Sequence, residues 1–336
     1  MALSMLTLNV LADEPIKPAL DISPYIVNGT DANVSDYPSF VSLFYDSIEY
    51  NYLYSAAPYC GGTLLNDQYV ITAAHCVYGS VETQLFTMVV PGLQYESSYL
   101  NVEKRRVVEI YHPSDYNDSI SQLLPNDIAI LKLESAVSTG TAIVQPNDES
   151  YRSEGNVFTA VGHGNTSSYI DTTERLQKVN LNWVDNDVCA GSFDDGSYLK
   201  NFHLCFTGDY SAASDLLAGT CQGDSGGPIY WDNNGTQTQV GITSFGPVPC
   251  GDKTRNITAV FTELADYSDW ITRVLNGHVS PTYVSTDAER RAYLIGQGFD
   301  IRPSNGASSS GSGGGSMSLL LLTMLALLGW NRVRLM

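Results

Sequence analysis

The chain is 336 residues long and carries a formal charge of -19 at pH 7, with an isoelectric point near 4.4. This balance argues against nucleic acid as a partner, because neutralising phosphates takes a basic face. It reads instead as a soluble acidic surface that can favour basic substrates, and six cysteines behind an apolar opening segment point to an oxidising compartment, with more than a dozen pairings open.

Residues 2–11 are apolar and short, so residues 1–12 read as a secretory signal peptide even without a positively charged start. Residues 13–25 are acidic and hold Pro15, Pro18 and Pro24, a composition that stays extended and cleavable, as a propeptide does. Asn-x-Ser/Thr acceptors at Asn33, Asn117, Asn165, Asn234 and Asn256 fit a secreted glycoprotein. Further on, short apolar or alternating runs separated by Gly, Asn, Asp and Pro predict an all-β body of antiparallel strands. The runs fall at 40–45, 69–72, 86–90, 107–111 and 128–133, and again at 158–162, 176–184, 228–231, 239–244 and 259–263. No internal repeat is evident. Tyr267, Trp270, Ile271, Val274 and Leu275 recur at helical spacing, and Asn276-Gly277 ends that helix.

The C-terminal part, residues 277–316, reads as a tail and a Ser/Gly-rich flexible linker, followed by a hydrophobic segment over 317–336. The apolar run falls short of the roughly 20 residues needed to span hydrocarbon, which favours a removable glycolipid-anchor signal with Asn305-Gly306-Ala307 as attachment site. Arg332 and Arg334 instead resemble the cytoplasmic flank of a single-pass protein; either reading makes the C-terminus a membrane tether on the extracellular face, and with neither the protein is secreted.

Chemistry concentrates in three segments. In Cys221-Gln222-Gly223-Asp224-Ser225-Gly226-Gly227-Pro228, glycines let backbone and substrate approach Ser225 closely. A serine hydroxyl is a poor nucleophile at neutral pH and needs a base, itself oriented by a third group. Thr72-Ala73-Ala74-His75-Cys76 offers the base, and Asp127 stands at the start of an apolar run that reads as a buried strand. His75 can accept the Ser225 proton during attack on a carbonyl and return it to the leaving amine, while Asp127 fixes the imidazole tautomer. His112, His163, His203 and His278 share no ligand spacing, so neither metal nor cofactor is expected.

These segments, in the order His75, Asp127, Ser225, together with Ile26-Val27-Asn28-Gly29, Cys60-Gly61-Gly62-Thr63-Leu64 and Ser244-Phe245-Gly246, resemble the trypsin and chymotrypsin family of serine endopeptidases. The resemblance runs from about Ile26 to about Asn276. It implies a catalytic domain over 26–276 built as two packed six-stranded antiparallel β-barrels, joined near 133–151, with a C-terminal helix; the apolar stripe of that helix is expected to pack on the second barrel. It implies disulfides Cys60–Cys76, Cys189–Cys205 and Cys221–Cys250. It also implies that cutting before Ile26 frees an amine that pairs with Asp224 and shapes an oxyanion hole from the backbone N–H groups of Gly223 and Ser225. Asn28 lies beside that cut, where a glycan would obstruct the new terminus. His163 stands where relatives usually carry an aromatic residue.

The resemblance places Gly219 at the floor of the specificity pocket, with Ser244, Gly246 and Ala259 around it. No acid stands at the floor, so a bound Lys or Arg would lack a counter-ion unless Asp252 reached it, and the pocket suits Tyr, Phe, Leu or Met. Tyr25 precedes the cut, so such an enzyme could process itself. Substrates are then proteins or peptides, and protein inhibitors are further partners. The other functional class is a non-catalytic relative that uses the scaffold to bind proteins; such relatives usually lack a triad residue.

Overall fold

The computed structural model describes residues 26–146 and 148–301; the signal, propeptide, linker and anchor segments expected from the sequence lie outside them. The first barrel is formed by β1 (Phe40–Tyr45), β2 (Cys60–Leu64), β3 (Tyr69–Thr72), β4 (Thr87–Pro91), β5 (Arg105–Tyr111) and β6 (Ala129–Leu133). All neighbours are antiparallel, and the ring closes in the order β1-β2-β3-β6-β5-β4. The second comprises β7 (Val157–Gly162), β8 (Gln177–Val184), β9 (His203–Thr207), β10 (Pro228–Asn233), β11 (Thr236–Phe245) and β12 (Ala259–Glu263). It closes in the order β7-β8-β9-β12-β11-β10. The two barrels thus share one winding although no sequence repeat connects them. Closure removes the exposed edges that an open sheet would present. Thr30–Asp31 adds a short strand to β8, and Tyr283–Val284 adds one to β5.

Each barrel is filled by the inward residues of its strands, as the period of two requires. Val41, Leu43, Val70, Ile110 and Leu131 share the inner face of the first, with Ile71 and Ile130 buried on its opposite face, and Phe158, Leu181, Leu204, Phe206, Ile229 and Phe261 fill the second. The close approach of the two barrels is made by glycine: a Cβ on Gly61 would lie 3.0 Å from the Gly227 Cα. Among the described residues no helix is long and apolar enough to cross a membrane.

Two expectations are corrected. The helix Ser268–Leu275 forms and ends at Asn276, with Gly277 at a φ of +71°. However, its apolar face, Ile271 and Val274, joins the core cluster of the first barrel rather than the second. An amphipathic stripe specifies a buried face but not which barrel covers it, and the chain leaving β12 carries this helix back across the molecule. Residues 277–301 are also no loose tail. They form the strand Tyr283–Val284 and the helix Asp287–Gly296, which bury Arg290 and Leu294 against the first barrel.

Candidate active site

His75 lies on the short turn Ala74–Cys76 that follows β3, and Asp127 sits fully buried two residues ahead of β6. Because β3 and β6 are paired, their register brings the two residues together. The His75 backbone N–H donates to Asp127 Oδ1 at 2.9 Å, and His75 Nδ1 donates to Asp127 Oδ2 at 2.7 Å. With Nδ1 carrying its hydrogen toward the carboxylate, Nε2 is left as the basic nitrogen; it lies 3.9 Å from Cys76 Sγ.

Asp127 is satisfied from the second barrel as well. Ser244 Oγ donates to Oδ2 at 2.5 Å, and Thr262 Oγ1 donates to the Asp127 carbonyl at 2.8 Å. Burial acts to push the carboxyl up, but the charge of His75 and hydrogen bonds from His75 and Ser244 outweigh it and hold Asp127 below its ordinary range. Burial likewise acts to lower His75, and the charge and hydrogen bond of Asp127, with Asp118 adding to them, lift it above its ordinary value. Asp118 was missed in the sequence, where it is one acid among many within a glycosylation signal.

Ser225 is half-buried and enters from the other barrel. Its carbonyl accepts the Gly61 N–H at 2.8 Å, and Gly226 N–H donates to Thr243 at 2.8 Å. A Cβ on Gly226 would lie 2.5 Å from the Gly61 carbonyl and 3.2 Å from the Ala73 nitrogen, so glycine there lets the Ser225 segment press against the turn that carries His75. Gly223 and Gly226 take φ of +102° and +75°, conformations that side chains rarely adopt.

Asp224 is buried behind them. Its Oδ1 accepts the Gly164 N–H at 2.9 Å and its Oδ2 the Cys221 N–H at 2.8 Å. Burial outweighs these bonds and pushes the carboxyl up to about 7. Ile26, still joined to Tyr25, is fully buried in the second-barrel core. His163 lies beside the same segment, its ring near Phe40 and its Nε2 at 3.2 Å from the Leu93 carbonyl; burial lowers it to about 4, so it is neutral at pH 7.

A cleft beside Ser225 is lined by Thr220, Cys221, Ser244, Phe245, Gly246, Pro247 and Cys250, none of them charged. Asp252 does not join them, because its carboxylate caps its own loop by accepting from Thr254 N–H and Oγ1 at 2.9 and 2.7 Å. Gly219 and Ala259, expected in this pocket, are placed by their neighbours. Ala259 is part of the second-barrel core, and a Cβ on Gly219 would lie 2.8 Å from Thr258 Cβ, so Thr258 fills the space. The disulfides join Cys60–Cys76, Cys189–Cys205 and Cys221–Cys250. Cys60 and Cys76 also lie within ligand distance of His75, but their shared disulfide leaves no thiolate for a metal. Asn33, Asn117, Asn234 and Asn256 are exposed. Asn165 is buried with its Nδ2 3.5 Å from Gln222 Oε1, which corrects its assignment as a glycan acceptor.

The model of the family described as Trypsin matches residues 26–271. The chain belongs to the trypsin family. It is similar to chymotrypsin-like elastase family member 1 of Homo sapiens, 32% identical over 74% of this chain and 92% of that protein. Bradykinin-releasing enzyme KR-E-1 of Gloydius ussuriensis is 29% identical over 75% of this chain and 97% of its own length. Alpha-fibrinogenase albofibrase of Trimeresurus albolabris is 28% identical, covering 78% of this chain and 92% of that protein. As a trypsin-family member the chain is a serine endopeptidase, a hydrolase acting on protein or peptide substrates. The family match ends at residue 271, short of the folded segment 277–301.

Proposed function

We propose that Ser225, His75 and Asp127 form the catalytic triad of an endopeptidase made as a zymogen and activated by cleavage before Ile26. The observation that carries this reading is the buried Asp127 carboxylate, held by His75 from one barrel and Ser244 from the other, beside a glycine-lined approach for Ser225. His75 takes the Ser225 proton as the hydroxyl attacks the substrate carbonyl. The acyl-enzyme forms as His75 returns that proton to the leaving amine, and water then repeats the sequence to free the acid. Gly223 and Ser225 N–H groups stabilise the oxyanion; losing one such donor costs about 100- to 1000-fold in rate.

The activation step follows from Asp224. Its carboxyl is raised to about 7 by burial, which no cation among the described residues offsets. A free Ile26 amine supplies that cation, and pairing would draw the 223–225 segment into working geometry. Among the described residues the cleft offers no charge for a Lys or Arg side chain, which favours an uncharged residue before the scissile bond; the wall left open at Gly246 is what supports a large apolar or aromatic one, and Tyr25 is then a self-processing site. The unit that works is the domain from residue 26, secreted or tethered outside the cell through the C-terminus, with glycans at Asn33, Asn117, Asn234 and Asn256. Phospholipase release of activity from intact cells tests the glycolipid form of the tether. Peptide amides varied at the residue before the cut test the preference: turnover only after cleavage before Ile26, strongest with Tyr, Phe, Leu or Met, is expected, and a preference for Arg or Lys would overturn it.

A further inference from the structure

The segment 277–301 lies beyond the family match and is built onto the first barrel. Thr282 N–H and Oγ1 both donate to the Ile110 carbonyl at 2.8 Å, and Ser285 N–H donates to Val108 at 2.9 Å. The helix Asp287–Gly296 starts from a reciprocal cap, Thr286 Oγ1 accepting Glu289 N–H at 3.2 Å and Glu289 Oε2 accepting Thr286 N–H at 2.8 Å. Arg290 is the buried anchor. Its Nε donates to Leu85 at 2.7 Å, and its Nη2 donates to Val107 at 3.0 Å and Ser285 Oγ at 2.6 Å. Leu294 packs with Tyr50, Leu85 and Phe86, and Tyr293 donates its hydroxyl hydrogen to Glu82.

The places gripped are specific. Leu85 and Phe86 belong to the helix Val81–Phe86, the first helix after His75 and Cys76, and Tyr50 belongs to Ile48–Asn51, ahead of Cys60. Tyr50 is held in turn through its hydroxyl by Asp287 at 2.8 Å. The stretches that run on from them are joined: Cys60, beyond the first, is bridged to Cys76 beside His75, and Tyr59 and Thr87, the latter next to Phe86, have hydroxyls 2.6 Å apart. Reaction chemistry says which half of a substrate this concerns. The acyl half enters the second-barrel cleft, and His75 delivers its proton to the departing amine. The departing half must therefore leave past His75, on the first-barrel side.

We propose that residues 277–301 are a clamp, fixed by Arg290, that positions the first-barrel segments flanking His75 and so sets how the enzyme handles the departing half of a peptide. Arg290 is a positioning residue and touches no substrate. The proposal rests on the triad reading above. Its test compares processed wild type with Arg290→Met and Tyr293→Phe, each titrated with a fluorophosphonate so that rates are per acylable Ser225. Two substrate series share one acyl half: one ends in a p-nitroanilide, the other continues for a few residues past the cut.

Arg290→Met should lower kcat/KM for the extended peptides about tenfold or more, since small misplacements near reacting groups are costly. The p-nitroanilide should stay within about twofold. Partition of the acyl-enzyme to an added peptide amine, relative to water, should fall in step, and Tyr293→Phe should shift both readouts the same way by less. Equal loss in both series, or lowered thermal stability with an unchanged ratio, overturns the clamp. If Arg290→Met does not fold, Tyr293→Phe and Leu294→Ala carry the same ratio. An unlabelled wild type would refute the triad itself, a result distinct from an unchanged ratio in a labelled enzyme.

Discussion

The substitution Asp224→Asn separates the cost of the proposed activation switch from its benefit. In the uncleaved chain Asp224 is buried and its carboxyl lies at about 7 instead of 3.8, so ionising it in the fold costs about 4 kcal/mol. The folded state therefore binds this proton more tightly than the unfolded chain, and stability from this group is lost as pH rises from about 4 to about 7. Asp224→Asn abolishes the titration. The amide can still accept one of the two N–H groups from Gly164 and Cys221, while misplacing the other costs roughly 1–3 kcal/mol at every pH. The assay is urea unfolding from pH 4 to 8, with Ser225→Ala in both chains to prevent self-cleavage. His163 and His203, both lowered to about 4 by burial, titrate in both chains and cancel in the difference. That difference should swing in favour of the Asp224→Asn chain by up to about 4 kcal/mol as pH rises across the range. In chains cut before Ile26 the swing should vanish. Parallel curves in the uncut chains would refute the reasoning.

The other expectations concern the proposed triad. Because Asp127 lifts His75 above its ordinary 6.5, the acid limb of the kcat/KM profile should have its midpoint above pH 6.5; a midpoint below would contradict the His75–Asp127 coupling. Ser244→Ala removes a donor from a buried carboxylate, a loss of about 1.5–3 kcal/mol that should appear as roughly a ten- to hundredfold fall in kcat/KM; an unchanged rate would show that Ser244 matters only as a pocket wall. Asp127→Asn should cost about 10⁴-fold in kcat by leaving His75 in the wrong tautomer, read from turnover of any accepted amide.

Where the chain alternates or runs apolar between turn residues, strands were legible: β1, β3 and β12 fall within the expected bounds. Strand β2 was not, because Gly61 and Gly62 remove the apolar signal. Those glycines are there because a Cβ on Gly62 would lie 2.9 Å from the Ile71 carbonyl and one on Gly61 would meet the second barrel. The five-residue β9 was hidden by His203, whose ring is buried with Nε2 2.9 Å from the Leu123 carbonyl. The helix Asp287–Gly296 had a readable cap in Thr286 and Glu289, but it buries only Arg290 and Leu294, too thin a stripe to register as amphipathic. At the site, His75, Asp127 and Ser225 announce themselves through their neighbours in sequence. Ser244 as a partner of Asp127 and Thr258 as the residue that fills the space beside Gly219 depend on contacts between distant segments, which no local pattern encodes.

Mass spectrometry of the chain cut before Ile26, after exposure to a fluorophosphonate, tests the central claim most directly. A single adduct on Ser225, lost in His75→Ala and absent from the uncut chain, is the predicted result. No adduct, or one on another residue with Ser225 untouched, would contradict it.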